Sequence, residues 1–276
     1  MALWQPGILA PGTVPGQLLV QHQQAFLCHA GGPLFSPGQL AQLALPVAAV
    51  QGLGHYAEQP VQLQVLSCPV EVPGCHWTGL RQWLAGEAPA GLLALLRFAA
   101  QIGTWAVRHR FCGCCGAPLQ PLPGERAMHC AACQLSQYPQ LSPCMIALVT
   151  RGDEILLARS ARHARGVFSA LAGFVEPGET VEGCVHREVQ EEVGLQVEQL
   201  QYVASQNWPF PHALMLGFLA RYRAGQVVPQ PGEIEEARWF AVDALPALPG
   251  PHSLARYLID RYVASRLGLP PPGLPD

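Results

Sequence analysis

Apolar and polar positions along the chain follow two periods, and each predicts a different element. The longest helical period runs from Ala90 to about Arg108, where Leu92, Leu93, Leu95, Leu96, Ala99, Ile102, Trp105 and Ala106 make a broad apolar face. It predicts a packing helix that links the segments on either side. A second helix is predicted over Val181–Val193. Pro177-Gly178 turns the chain before it, Thr180 can cap its first turn, and Gly194 stands where it should stop. On this helix Val185, Val189 and Val193 share an apolar stripe, while Glu188, Glu191 and Glu192 fall on the adjoining narrow face. His186 and Gln190 point away. Ser253–Leu267 reads as a third helix. Strands are predicted at Gln17–Val20, Ala25–Cys28 and the alternating stretch Val61–Leu66. Met145–Thr150 and Glu154–Ala158 flank Arg151-Gly152-Asp153 as a hairpin. Tyr202–Ala204, Leu214–Tyr222 and Arg238–Phe240 read as later strands. Ser205–Ala213 and the stretch holding Glu233, Glu235 and Glu236 read as loops, and the Pro-rich tail from Pro270 as a mobile end.

Composition narrows the chemistry. The chain has 276 residues, half of them apolar, and a net charge of −3, so bulk attraction to nucleic acid or to an anionic membrane is not indicated. All sixteen basic residues are arginine, which excludes lysine nucleophile or Schiff-base chemistry. No run approaches a membrane span and no signal peptide opens the chain, so a reducing, cytoplasmic setting with no membrane partner is expected. Cys28, Cys68 and Cys75 stand alone among apolar neighbours and read as small buried hydrophobes.

Four of the ten cysteines have metal-ligand spacing. Cys112-x₂-Cys115, fourteen residues, then Cys130-x₂-Cys133 gives two knuckles whose thiolates close one tetrahedral Zn²⁺ site. Gly116 supplies the tight turn and Cys114 is spare. A redox role for the Cys-x-x-Cys pairs is the competing reading. Four thiolates leave no open position, so this zinc is expected to be structural, one per chain. Arg108, Arg110 and Arg126, offset by Glu125, are too few for nucleic-acid affinity, and a structural clamp is favoured.

Three carboxylates on one helical face repel one another. Hard oxygen ligands on a rigid element suit Mg²⁺ or Mn²⁺, which in turn hold phosphate oxygens. Arg159, Arg162, His163 and Arg165 precede the helix in a loop that is either solvated or in contact with phosphate. The stretch Gly173-x₅-Glu179-x₇-Arg187-Glu188-Val-x-Glu191-Glu192-x-Gly194-Leu195 resembles the Nudix hydrolase signature at every specified position. Gly79-Leu80-Arg81-Gln82, the four cysteines, Tyr138-Pro139-Gln140 and Ser205-Gln206-Asn207-Trp208-Pro209-Phe210-Pro211 further resemble the bacterial NADH pyrophosphatases, also known as NAD-capped RNA decapping hydrolases. Asn207 and Ala213 depart from that family's Pro and Ser.

The resemblance implies an α+β chain. It would comprise a β-rich domain (1–88), a linking helix (89–110), a zinc ribbon (111–142), a Nudix α/β/α sandwich (143–269) and a tail (270–276). It implies a homodimer that cleaves the NAD(H) diphosphate to nicotinamide mononucleotide and AMP and removes NAD caps from RNA. Catalytic Mg²⁺ or Mn²⁺ would be held by Glu188, Glu191, Glu192, the Ala172 carbonyl and Glu233. Substrate contacts would come from Arg81, Glu125, Tyr138, Phe174, Gln206, Asn207, Trp208, Pro209, Phe210, Pro211, His212, Ala213, Glu233 and Ala255. Arg187 is expected to pair with Glu179 and brace the loop. Glu191, Glu192 or Glu233 could take the proton from water, and the sequence does not choose. Two alternatives stand beside this reading: a diphosphatase for ADP-ribose or a dinucleoside polyphosphate, and a zinc-ribbon nucleic-acid binder that only senses nucleotide.

Overall fold

The structure, a computed structural model, describes residues 3–10, 12–160 and 166–274; Arg162, His163 and Arg165 lie outside them. The chain divides into two compact units, Met1–Gln140 with Pro209–His212, and Leu141–Trp208 with Ala213–Asp276.

The first unit begins with β1 (Trp4–Pro6), β2 (Gln17–His22), β3 (Ala25–Cys28), α1 (Pro37–Leu40), β4 (Val47–Tyr56), β5 (Gln59–Leu66), β6 (His76–Gly79), α2 (Leu80–Ala85) and α3 (Ala90–Arg108). The strands form one sheet in the order β1-β4-β5-β2-β3-β6. Because Leu18-Leu19-Val20 is a continuous apolar run, β2 is buried on both faces. Leu19 joins Phe26, Leu53, Leu63, Leu95, Leu96 and Ala99 in one core, while Leu18 and Val20 join Leu27, Phe35, Leu40 and Leu66 in another. The predicted helix α3 has the expected bounds. The helix has 19 residues and an 18-residue window of mean hydropathy 1.4, long and apolar enough to cross a membrane, which corrects the expectation that no run approaches a span. Its apolar face is buried in the core of this unit.

Strand β4 escapes the sequence pattern because Gly52 and Gly54 interrupt it and its register slips on both sides of Val50. Of the three cysteines expected to be buried, Cys28 is buried and Cys75 half-buried, but Cys68 is exposed in the turn after β5. The unit closes with a small sheet of β7 (Gln120–Pro121), β8 (Met128–Cys130) and β9 (Leu135–Gln137), packed on Cys112, Leu119 and Cys130.

The second unit holds β10 (Ser142–Arg151), β11 (Glu154–Ser160), β12 (Leu171–Phe174), α4 (Val181–Val193), β13 (Leu195–Trp208), β14 (Ala213–Gly225), β15 (Ile234–Ala241) and α5 (Leu254–Leu267). Its sheet runs β13-β14-β10-β11-β15, with β12 paired to β10. Strand alternation sorts β10 into two layers: Met145, Ala147 and Val149 pack under α4, and Ile146 and Leu148 pack under α5. The expected α/β/α sandwich follows. Two loop expectations are corrected. Ser205–Trp208 ends β13 and Ala213 begins β14, so only Pro209–His212 is the connection. Glu235 and Glu236 lie on β15. In both cases cross-strand pairing extends the ladder through residues of low strand propensity.

Candidate active site and zinc site

Helix α4 is fixed at both ends by local chemistry. The Thr180 hydroxyl accepts a hydrogen bond from the Gly183 N–H at 3.1 Å, and Gly194 closes the helix in the left-handed region, φ 72°. Val185, Val189 and Val193, all fully buried, seat it on the sheet. The three glutamates of the adjoining face then meet different surroundings. Glu191 is exposed and Glu188 half-buried, whereas Glu192 is 5% exposed with its Oε2 lacking a partner.

Burial pushes the Glu192 carboxyl up to about 8; the charges of Glu188 and Glu233 add to this, and a main-chain hydrogen bond from Ala172 opposes it. The Glu188 carboxyl is also raised, by burial first, against the opposing pull of Arg187. Its side chain lies against Gly173: a Cβ there would stand 1.9 Å from the Glu188 Cδ. A side chain at Gly173 would therefore push the Glu188 carboxylate out of its seat.

Arg187 makes the expected bidentate pair with Glu179, at 2.8 and 2.9 Å. It also donates to Glu188 at 2.9 Å, to Glu191 at 3.0 Å and to the Phe174 carbonyl at 3.0 Å. Its own bonds from Arg187, with a main-chain bond involving Glu176, hold the Glu179 carboxyl down to about 2. Arg187 thus ties the loop before α4 to the helix itself. Glu233 reaches the same neighbourhood by another route. The segment after β14 is strapped to the last turn of α4, with Val228 N–H donating to the Val193 carbonyl at 3.0 Å and Gln230 N–H to the Glu192 carbonyl at 2.8 Å. Nothing local in the sequence signals this strap. Arg159, expected in a loop, lies instead on β11, where pairing with β15 extends the strand, and its guanidinium pairs with Glu235 and Glu236.

The remaining residues fall into two groups by unit. In the second, the Gln206 amide donates to the His252 carbonyl and accepts from the Leu254 N–H, both at 2.8 Å. Its polar atoms are spent on anchoring the start of α5, a role that sequence reading missed. The Asn207 Oδ1 is buried without a partner, Trp208 is half-buried, and Ala213 and Ala255 are buried. Ala172 and Phe174 are exposed on β12. In the first unit Phe210 packs on the α3 core with the Arg81 guanidinium over its ring, 4.1 Å from the centroid. Pro209 is buried, and Pro211 and His212 are half-buried. The Tyr138 hydroxyl donates to Glu125.

The four ribbon sulfurs of Cys112, Cys115, Cys130 and Cys133 all lie within 4.8 Å of one another, and those of Cys115 and Cys130 are 3.6 Å apart. A tetrahedral Zn²⁺ with Zn–S near 2.3 Å needs sulfurs about 3.8 Å apart, so the set fits. Main-chain N–H groups of Cys114 and Cys133 point at the sulfurs of Cys112 and Cys130, each at 3.4 Å, and would stabilise thiolates there. Hydrogen bonds from the main chain at Cys115 and Cys114 lower the Cys112 thiol to about 7. Gly116 takes φ 73° at the knuckle, and Cys114 is exposed outside the set. The carboxylate site passes a different test: a buried, unpartnered Glu192 oxygen beside a second raised acid is relieved by a divalent cation.

Residues 140–262 match the NUDIX domain model and residues 108–138 the NADH pyrophosphatase zinc ribbon domain model. The chain is 56% identical over 272 residues to the NAD-capped RNA hydrolase NudC of Stutzerimonas stutzeri (strain A1501), covering 99% of this chain and 98% of that one. It is 53% identical to the protein of the same name from Pseudomonas putida (strain W619), covering 99% of each. Among solved structures, a NUDIX hydrolase from Nitrosomonas europaea is 25% identical with a TM-score of 0.49, covering 60% of this chain and 97% of that one.

Proposed function

The chain belongs to the NAD-capped RNA hydrolase family of Nudix enzymes, and from that membership we propose that it hydrolyses the diphosphate of NAD(H) to nicotinamide mononucleotide and AMP. On RNA that begins with NAD, the same cleavage releases nicotinamide mononucleotide and leaves a 5′-monophosphate. The observation that carries the reading is the Glu188–Glu192 carboxylate pair of α4, in a chain that aligns from end to end with NAD-capped RNA hydrolases.

Glu188, Glu191, Glu192, Glu233 and the Ala172 carbonyl would hold Mg²⁺ or Mn²⁺. Such an ion, when bound, neutralises diphosphate charge and lowers the pKa of water. The rest belongs to side chains. Arg187 fixes Glu188 and the Gly173–Glu179 loop in one frame. Glu191, Glu192 or Glu233 accepts the proton of the attacking water as the phosphoanhydride P–O bond breaks. Phe174, exposed on the second unit, would offer its ring to the nicotinamide or adenine, and Tyr138 is likewise exposed on the first. Zn²⁺ in the four-cysteine site is structural. Ten cysteines, none in a disulfide and four of them placed to hold zinc, suit a reducing cytoplasm, and the working form in this proposal is a homodimer.

The test is direct. Purified protein with Mg²⁺ or Mn²⁺ is given NADH, NAD⁺, ADP-ribose, a dinucleoside polyphosphate and NAD-capped RNA side by side, with products identified by mass and the oligomer by light scattering. Nicotinamide mononucleotide plus AMP from NADH supports the proposal. Turnover confined to ADP-ribose or the polyphosphate transfers it to another diphosphatase class, and binding without turnover transfers it to a sensor.

A further inference from the structure

Beyond the zinc site, the ribbon has a second anchor. Cys130 and Cys133 lie at one end of β8, and Met128 pairs with Gln137 at the other. The strands are only two or three residues long, and sheets this small are marginal alone. Zinc staples the knuckle end. Glu125 and Tyr138 sit at the opposite end, about 10 Å away for three residues of strand. Glu125 is part of a tight turn in which its N–H donates to the Leu122 carbonyl at 3.2 Å.

The next residue, Arg126, leaves this turn for the six-stranded sheet. One guanidinium nitrogen donates to the Gly52 carbonyl at 2.7 Å, and the other to the carbonyls of Gly7 and Leu53. The guanidinium carbon also lies 5.0 Å from the ring centroid of Phe98 on α3. Three carbonyls converge because Gly54, at φ 136°, lets two backbones touch: a Cβ there would be 2.2 Å from the Gln5 carbonyl oxygen. Burial lowers the Arg126 pKa, and the three carbonyls offset that desolvation by accepting from the charged guanidinium. Only a planar fork can span such a set.

We propose that Arg126 is a positioning residue for substrate binding: it clamps the zinc-free end of the ribbon to the N-terminal sheet and so fixes the Glu125–Tyr138 pair. This rests on the reading that Glu125 and Tyr138 touch the nicotinamide nucleotide. Zinc sets the fold of the ribbon, and Arg126 sets where its working end stands.

The test uses full-length, zinc-loaded protein carrying Arg126→Ala, and Arg126→Lys in case the alanine variant folds poorly. Hydrogen exchange of residues 122–127 should quicken about tenfold in either variant while zinc stays at one per chain. KM for NADH should rise about tenfold with kcat within about threefold, and in a Glu125→Ala background Arg126→Ala should add little further. Unchanged exchange overturns the clamp, whatever the substrate proves to be. Quickened exchange with unchanged KM, or fully additive losses in the double variant, overturns the positioning role. Wild-type protein that does not turn over NADH removes the substrate reading, and the clamp then stands or falls on exchange alone.

Discussion

Replacing Gly173 with alanine should separate folding from catalysis. The added Cβ would stand 1.9 Å from the Glu188 Cδ and 2.1 and 2.4 Å from its two oxygens. The carboxylate must retreat by about 1.5 Å to reach ordinary van der Waals separation. The atoms struck are the far end of a rotatable side chain, so the backbone can stay. Gly173 pairs with Met145 in extended strand, a conformation open to alanine. Alanine also restricts the unfolded chain, which offsets the lost 2.9 Å bond from Arg187. Net stability should therefore move by no more than about 1 kcal/mol. Function is less forgiving, because metal ligands work within about 0.2 Å and a misplacement of about 1 Å costs about a hundredfold. The loss of kcat/KM on NADH should be about 10²- to 10³-fold, or about 2.7–4 kcal/mol in the barrier. Initial rates across an Mg²⁺ titration, beside thermal unfolding and a Glu188→Gln control, measure both quantities. Activity within threefold of wild type would show that Glu188 need not occupy the seat that Gly173 leaves for it.

Glu192→Gln should abolish turnover without loss of thermal stability, since Oε2 has no partner to forfeit; near wild-type rates at saturating Mg²⁺ would remove Glu192 from the site. Cys130→Ser should release zinc, detectable by elemental analysis, and destabilise the ribbon, because zinc–thiolate energy is folding energy; zinc-free but folded, active protein would count against the four-sulfur site. Gln206→Leu should cost about 1–3 kcal/mol in thermal unfolding by orphaning the His252 carbonyl and Leu254 N–H; an altered KM with unchanged stability would show that the amide serves substrate instead.

What could be read from the sequence was local. The bounds of α4 and α3 follow from caps and apolar periods contained in their own residues, and the structure has both as expected. The knuckle spacing likewise needs nothing outside residues 112–133. Long-range partners were not legible. The amide of Gln206 is anchored to a helix start 46 to 48 residues away, so the motif that contains it could be read as a loop when half of it is strand. The strap that brings Glu233 toward Glu192 consists of main-chain bonds, to which side-chain identity gives no clue. Arg126 looked like one charge among few, because its three carbonyls come from segments 73 to 119 residues earlier.

The burial of Glu192 shows why α4 is not simply a stable helix with acids on its surface. Its carboxyl is pushed from the unfolded value of 4.5 to about 8, so without a cation the folded chain binds a proton that the unfolded chain does not. The sign is unfavourable: stability falls as pH rises from about 4.5 to about 8, where a surface glutamate would contribute nothing. The three valines of the adjoining stripe, all fully buried, supply the hydrophobic energy that keeps α4 seated regardless. Glu179 behaves in the opposite way. Arg187 holds it at about 2, so the contribution of that pair is present above about 4.5 and is lost only as pH falls toward 2. Two glutamates at either end of one motif therefore have opposite electrostatic tasks. Glu179, by neutralising Arg187, stabilises the loop, whereas Glu192 is held as an anion in waiting, at a cost to the fold that a bound divalent cation would remove.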